Sequence, residues 1–304
     1  MGIADQAVSR VAWRASSQIQ NGPAAGWQAQ VQVREHRVPR NEKDREEAPM
    51  GMHERFRLDG KVAMVTGGGK GIGRGIALAF AQCGADVAVL ARRQADIDAV
   101  ARDIEKTGRR ALAIAGDVMD DAVIPAALDR VVAELGAIDI MVNNAGGNLD
   151  RKQHPLTEIT MQKWDEQISL NLRHKFFGSQ QAAARMSNGG RIINIVSIAA
   201  LRPTPGFGAY STANNGVIAM TRTLSVELGP RGITVNCIAP GTVFTEMLAE
   251  TLNVEQDHAE RMFGPTIPLG RVGNPEDIAA AAVFFASPAA EWTTGQCISV
   301  AGGP

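Results

Sequence analysis

The segment "KVAMVTGGGKGIGRGIALAFAQCGA" (61–85) runs from an unbroken apolar stretch, through five glycines between Gly67 and Gly73, into a pattern of helical period. An apolar run without polar alternation marks a strand buried on both faces. Such strands belong to parallel sheets covered by helices on each side. The glycines make the turn tight and leave the following helix with unpaired N–H groups and its positive dipole end facing outward. Few architectures accommodate that unit, and the rest of the chain repeats it. Further strands are predicted at 86–92, 111–118, 138–147, 190–200, 232–241 and 295–303. Helices are predicted between them over 93–108, 122–136, 157–187, 210–229 and 275–287.

Strict alternation with right-handed crossovers gives an α/β fold: a single doubly wound Rossmann-type domain with a parallel sheet of about seven strands and helices on both faces. Residues 52–304 supply it, and no second domain is needed. Residues 1–51 stand apart. They are rich in Gln, Ala and Arg, lack sustained periodicity and end in a charged run before Pro49, so they are expected to be a disordered extension. Met50 and Met52 are alternative starts, and the scarcity of acids before Glu35 gives a faint likeness to a targeting peptide.

The charge balance, 31 Lys plus Arg against 32 Asp plus Glu, provides no global field for nucleic acid or an anionic membrane. Aromatics are 5% with one tyrosine, too few for a base-stacking surface. No window approaches a membrane span. Cys83, Cys237 and Cys297 lack metal or CxxC spacing and are expected to be buried free thiols, with no metal site and a cytoplasmic location.

Gly67, Gly71 and Gly73 are spaced for a tight turn, close approach to a pyrophosphate and helix–strand packing, with Lys70 and Ile72 between them. The second strand ends "VLARR", where a carboxylate would select NAD. Ala91 is neutral, and Arg92 and Arg93 with Lys70 suit a 2′-phosphate, so NADP is favoured over NAD, the alternative being that the arginines are merely solvated. Asp117 and Val118 follow the third strand as candidate adenine contacts, although Asp117 could equally be a helix N-cap.

With these residues in place, 56–304 resembles the short-chain dehydrogenase/reductase family from end to end. The likeness is carried by Thr66-Gly67…Gly71-Ile72-Gly73, by "NNAG" (143–146), by Asn171, by Ser197 thirteen residues before Tyr210, and by "PGTVFT" (240–245). The tail 267–303 fits as well, with Ala301 where the family has Asp. The resemblance implies that Asn144, Ala145 and Gly146 border the adenosine ribose, and that Pro240, Gly241, Val243 and Thr245 flank the nicotinamide end. It further implies a homotetramer or dimer, and a branch near 3-oxoacyl reductases and bacterial hydroxysteroid dehydrogenases. Tyr210 would move the proton, Ser197 would bind the substrate oxygen and Asn171 would hold a relay water. The plainer readings are a packing phenol, a strand-end cap and a helix interruption.

One position departs from the family: Asn214 stands where a lysine normally follows the tyrosine by one helical turn. Asn214 can hydrogen-bond the cofactor ribose but brings no charge to lower the phenol pKa. Alcohol oxidation, which needs the phenolate, suffers more than carbonyl reduction. Lys175, one turn after Asn171, is a possible substitute but is expected to be solvated or at a subunit interface. Residues 246–266 read as a lid, with Met247, Leu248, Met262 and Phe263 as apolar groups and Phe207 as another wall, which suits a hydrophobic ketone or secondary alcohol. The expected function is therefore an NADP-dependent oxidoreductase with a modified relay. The alternative is a cofactor-binding subunit with little or no redox activity. Deleting residues 1–51 is expected to leave the melting temperature and cofactor affinity unchanged; a loss of several degrees would place the extension in the core.

Overall fold

The computed structural model describes residues 50–149 and 154–303, and the expectation of disorder over 1–51 falls, up to residue 49, outside them. Seven strands appear where the apolar runs require: β1 (Val62–Thr66), β2 (Asp86–Ala91), β3 (Ala111–Ala115), β4 (Ile140–Asn143), β5 (Arg191–Ile195), β6 (Thr234–Pro240) and β7 (Cys297–Val300). They form one sheet in the order β3-β2-β1-β4-β5-β6-β7, every neighbouring pair parallel. Described helices follow the strands: α1 (Gly71–Gln82), α2 (Gln94–Glu105), α3 (Val123–Leu135), α4 (Met161–Ile168), α5 (His174–Arg185), α6 (Gly208–Leu228), α7 (Glu246–Leu252), α8 (Gln256–Phe263) and α9 (Pro275–Ala286).

The period of two along each strand divides the core into layers. Ala63, Val65, Val87, Val89, Ile193 and Ile195 face α1, α2 and α9, meeting Ile76, Phe80, Ile97 and Phe285. Val62, Met64, Ala88, Leu90 and Ile192 face the other way, against Ile124, Leu128 and Val131 of α3 and Ala182 of α5. Each fully buried aliphatic side chain stabilises by roughly 1.5–3 kcal/mol, so both faces must be covered for the strands to persist. No described helix is long and apolar enough to cross a membrane.

The predicted helix over 157–187 is interrupted. It begins at Met161, capped by the Thr160 hydroxyl, and passes through a π-helical turn over Ser169–Arg173 before α5. Asn171 lies in that turn. The lid region resolves into α7 and α8, separated by Asn253 in the left-handed conformation. Of the three thiols only Cys237 is buried; Cys83, at the C-terminal end of α1, and Cys297, at the start of the edge strand β7, are partly exposed.

The strand order reverses between β1 and β4, opening a crevice at the carboxyl edge where ligands of such sheets bind. A polar chain runs beneath it. Asn143 donates to Ser179 Oγ and Asn194 Oδ1, and Asn194 donates to Thr221 Oγ1, all fully buried. Gly178 lets α5 approach this chain, for a Cβ there would lie 2.3 Å from Asn143 Oδ1. Gly178→Ala is therefore expected to destabilise by about 1–3 kcal/mol, read as a drop of several degrees in melting temperature. Gly216→Ala, which meets only the flexible end of Leu172, is expected to cost less.

Candidate active site

The glycine loop closes on the β4 end. Thr66 Oγ1 donates to the Val142 carbonyl and accepts from the backbone N–H groups of Asn144 and Ala145 at 3.0 and 3.1 Å. The Asn144 amide donates to the carbonyls of Thr66 and Gly67. Gly67 has φ 66°, and a Cβ on Gly73 would lie 2.3 Å from the Gly67 carbonyl, so both glycines are required by the turn itself. Ile72 packs on the core. At the first turn of α1 the Gly71 N–H donates to the Glu246 carboxylate at 3.0 Å. An anionic group is thus already accommodated at the positive end of this helix.

Arg92 and Arg93 are exposed at the end of β2; Arg93 pairs with Asp96 at 2.6 Å, and Arg92 makes no ion pair among the described residues. Lys70 stands 3.9 Å from Glu250. Asp117 does not cap a helix. Its side chain accepts from Met119 N–H in a local turn, while Ala122 precedes α3, and Val118 is buried beside it. Pro240 ends β6 against β7, the Gly241 N–H donates to the Val300 carbonyl, Val243 bridges to Gly273, and Thr245 caps α7 through Leu248 N–H.

The reacting groups predicted from sequence meet where β5 ends and α6 begins. Tyr210, partly exposed in the first turn of α6, has the side chains of Ser197 and Asn214 as polar neighbours. Burial pushes its phenol above the ordinary value, and those two neighbours oppose the rise. Ser197 Oγ also accepts from Ala199 N–H, so the strand-end cap and the contact with tyrosine coexist. Asn214 is buried; its amide donates to the Tyr210 carbonyl at 2.9 Å, and its Oδ1 has no partner. Phe207 packs edge-on against the Tyr210 ring, centroids 6.4 Å apart.

Asn171 is wholly engaged. Its Oδ1 accepts from Gly147 N–H, and its amide donates to the Gly147 carbonyl and to Gln167. It braces the turn that follows β4, in which Gly146 has φ 152°.

Lys175 overturns its expectation. Instead of being solvated it is 2% exposed, and its ammonium donates to the Ile195 carbonyl. A Cβ on Gly146 would lie 2.9 Å from Asn171 Oδ1 and 3.4 Å from Lys175 Nζ, so both polar groups lie directly beneath this turn. Burial lowers the lysine pKa to about 8, with Cys237 slightly opposing.

A cavity opens beside Tyr210, lined by Asn148, His154, Ile159, Lys163, Gln167 and Phe207 among others. Lys163 Nζ and His154 Nε2 are 3.1 Å apart. Apart from Phe207, this polar wall was not anticipated; its residues lie on the stretch after β4, whose sequence carries no motif. Of the predicted lid groups, Met247 and Met262 are exposed, and none lines the cavity, although Met247 Sδ reaches toward Gly147.

This geometry has relatives. A family model described as enoyl-(acyl carrier protein) reductase matches residues 67–304. The chain is 39% identical over 251 residues to 2-dehydro-3-deoxy-D-gluconate 5-dehydrogenase of Escherichia coli K12, covering 82% of this chain and 96% of that one. A 7α-hydroxysteroid dehydrogenase solved with NADH and 7-oxo glycochenodeoxycholic acid superposes with a TM-score of 0.76 at 35% identity, over 84% of this chain and 98% of that one. A short-chain dehydrogenase of Burkholderia cenocepacia J2315 in complex with NADP gives 0.73 at 36%, over 81% and 98%. The chain belongs to the short-chain dehydrogenase/reductase family of oxidoreductases.

Proposed function

We propose that this protein is an NADP(H)-dependent oxidoreductase interconverting a secondary alcohol and its ketone, with Tyr210 as the proton carrier. The observation that carries this reading is the Tyr210–Ser197 pair, neighbours beside a cavity on the sheet edge that also bears the glycine loop. The residues fit a dinucleotide. The Glu246 carboxylate on Gly71 N–H marks an anion position, and the partnerless buried Asn214 Oδ1 is an acceptor suited to a ribose hydroxyl.

Gly67, Lys70, Gly71, Ile72 and Gly73 would hold the pyrophosphate, Arg92 and Arg93 the 2′-phosphate, and Asp117 and Val118 the adenine. Asn144, Ala145, Gly146 and Asn214 would border the riboses, and Pro240, Gly241, Val243 and Thr245 the nicotinamide end. When bound, the nicotinamide supplies or accepts the hydride. Ser197 would hydrogen-bond the substrate oxygen while Tyr210 gives it a proton in reduction or removes one in oxidation, with Asn171 bracing the turn alongside.

Burial keeps the phenol in its acid form at neutral pH, which favours the reducing direction. Met247, Leu248, Met262 and Phe263 on α7 and α8, with Phe207, would cover an apolar substrate body, and the His154–Lys163 wall would receive a polar end. As in the family generally, the protein would act as a cytoplasmic homotetramer or dimer. The neutral Asn214 favours a second reading, a cofactor-binding subunit of minor activity.

NADPH is expected to bind at least tenfold more tightly than NADH, and Arg92→Ala to remove most of that preference by deleting a charge-assisted contact worth roughly 1.5–3 kcal/mol. Dissociation constants for both cofactors decide this, and equal values would return the arginines to solvent. Tyr210→Phe is expected to lower turnover about 10²–10⁴-fold with NADPH affinity little changed. Wild-type activity in that variant would move the proton transfer elsewhere. No wild-type turnover over a ketone panel would favour the binding subunit.

A further inference from the structure

Resting on the oxidoreductase reading, we propose that Lys175 supplies from α5 the positive charge that Tyr210 lacks on its own helix. It is a positioning residue that acts on the phenol through its field and touches no substrate. The lysine is among the largest fully buried side chains, yet it has no carboxylate partner among the described residues. A buried ammonium held by one carbonyl is costly, and an apolar side chain would fill the space without that cost. Its location gives it a use. Ile195, whose carbonyl accepts its hydrogen bond, lies two residues before Ser197, and two residues of extended strand span ~7 Å. Ser197 in turn is a polar neighbour of Tyr210. At a separation on the order of 10 Å in a partly dry site, a unit charge changes the phenolate fraction by about tenfold.

Of the other groups around this pair, one, Lys163, is a cation at the Tyr210 cavity, and titration of their variants separates the two lysines. On its own helix His174 is buried and neutral, its pKa lowered by burial to about 3. Asn171 and the Gly146 turn bring no charge, and Cys237 on β6 is held as a thiol, raised by its contact with Cys297 and by burial. Around Tyr210 stand neutral Ser197 and Asn214, with Lys163 and His154 across the cavity. Lysine and tyrosine then titrate as a coupled pair. For the lysine's charge to act on the phenol, part of the proton lost near pH 8 must come from the phenol, which requires their attraction to offset most of the gap between the lysine's value of about 8 and the phenol's raised one.

Tyr210 is the chain's single tyrosine, so tyrosinate absorbance in the full-length protein reports it alone, without turnover. The expected wild-type titration shows part of the amplitude near pH 8, where the lysine loses its proton. In Lys175→Met, and in Lys175→Gln, which keeps a donor for Ile195, the whole amplitude should lie above pH 10, while Lys163→Met keeps the early step. A wild-type curve entirely above pH 10, an early step surviving in the folded Lys175 variants, or one lost only in Lys163→Met would each overturn the proposal. Should neither Lys175 variant fold, the wild-type curve and Lys163→Met decide between the two lysines. If the wild type turns over no ketone, the enzyme reading fails, and the titration still judges Lys175.

Discussion

The Thr66 hydroxyl is the joint on which the site depends. One side chain ends β1, donates to β4 and accepts two N–H groups of the turn that follows it. A hydroxyl has one donor and two acceptor positions, and all are used. The joint lies where the strand order reverses; the two sheet halves are held there by β1–β4 pairing and this contact, by α3 crossing from β3 to β4, and by α1 packed on α9. The glycine loop on one side and the Gly146 turn on the other inherit their positions from it. Behind them, the Asn143–Asn194–Thr221 chain keeps the β4, β5 and α6 ends in register, and that register places Ser197 against Tyr210.

Most of this frame was legible in the sequence, for a physical reason. Strands buried on both faces must be continuously apolar, and a turn residue with φ 66° and a first-turn helix residue whose Cβ would lie 2.3 Å from that turn's carbonyl must both be glycine. Those demands leave few substitutions, so the residues announce them. The Ser197–Tyr210 meeting was legible only through resemblance, since nothing in their spacing brings a strand end against a helix start. The polar wall of His154, Lys163 and Gln167 was not legible: His154 lies on irregular backbone after β4, and Lys163 and Gln167, one turn apart on α4, are residue types that ordinarily mark a solvated helix face.

Lys175 was misread for a different reason. It follows Asn171 by four residues and Gln167 by eight, which places all three on one helix face, and both of the others are buried. The geometry was available. What prevailed was the residue type, since lysine is almost never fully buried. A residue that violates its type's preference without a stabilising partner is where function is expected to have displaced stability. The depression of its pKa to about 8 still leaves most of the ammonium charged at neutral pH.

Asn214 and Lys175 thus bear on one question, the free energy of the Tyr210 phenolate. A catalytic residue cannot alter the overall equilibrium between alcohol and ketone; it sets the pH at which each direction runs. With the phenol raised by burial and flanked by neutral Ser197 and Asn214, proton donation is available across the neutral range. Proton acceptance requires the charge of a nearby cation. On the tyrosine's own helix, a lysine would present its ammonium at the surface of the cofactor groove. Beneath the Gly146 turn, the same charge is screened from salt and fixed by the sheet. Moving the cation from α6 to α5 keeps a field on the phenol while leaving position 214 as a neutral acceptor, a division of labour between two helices that one lysine cannot provide.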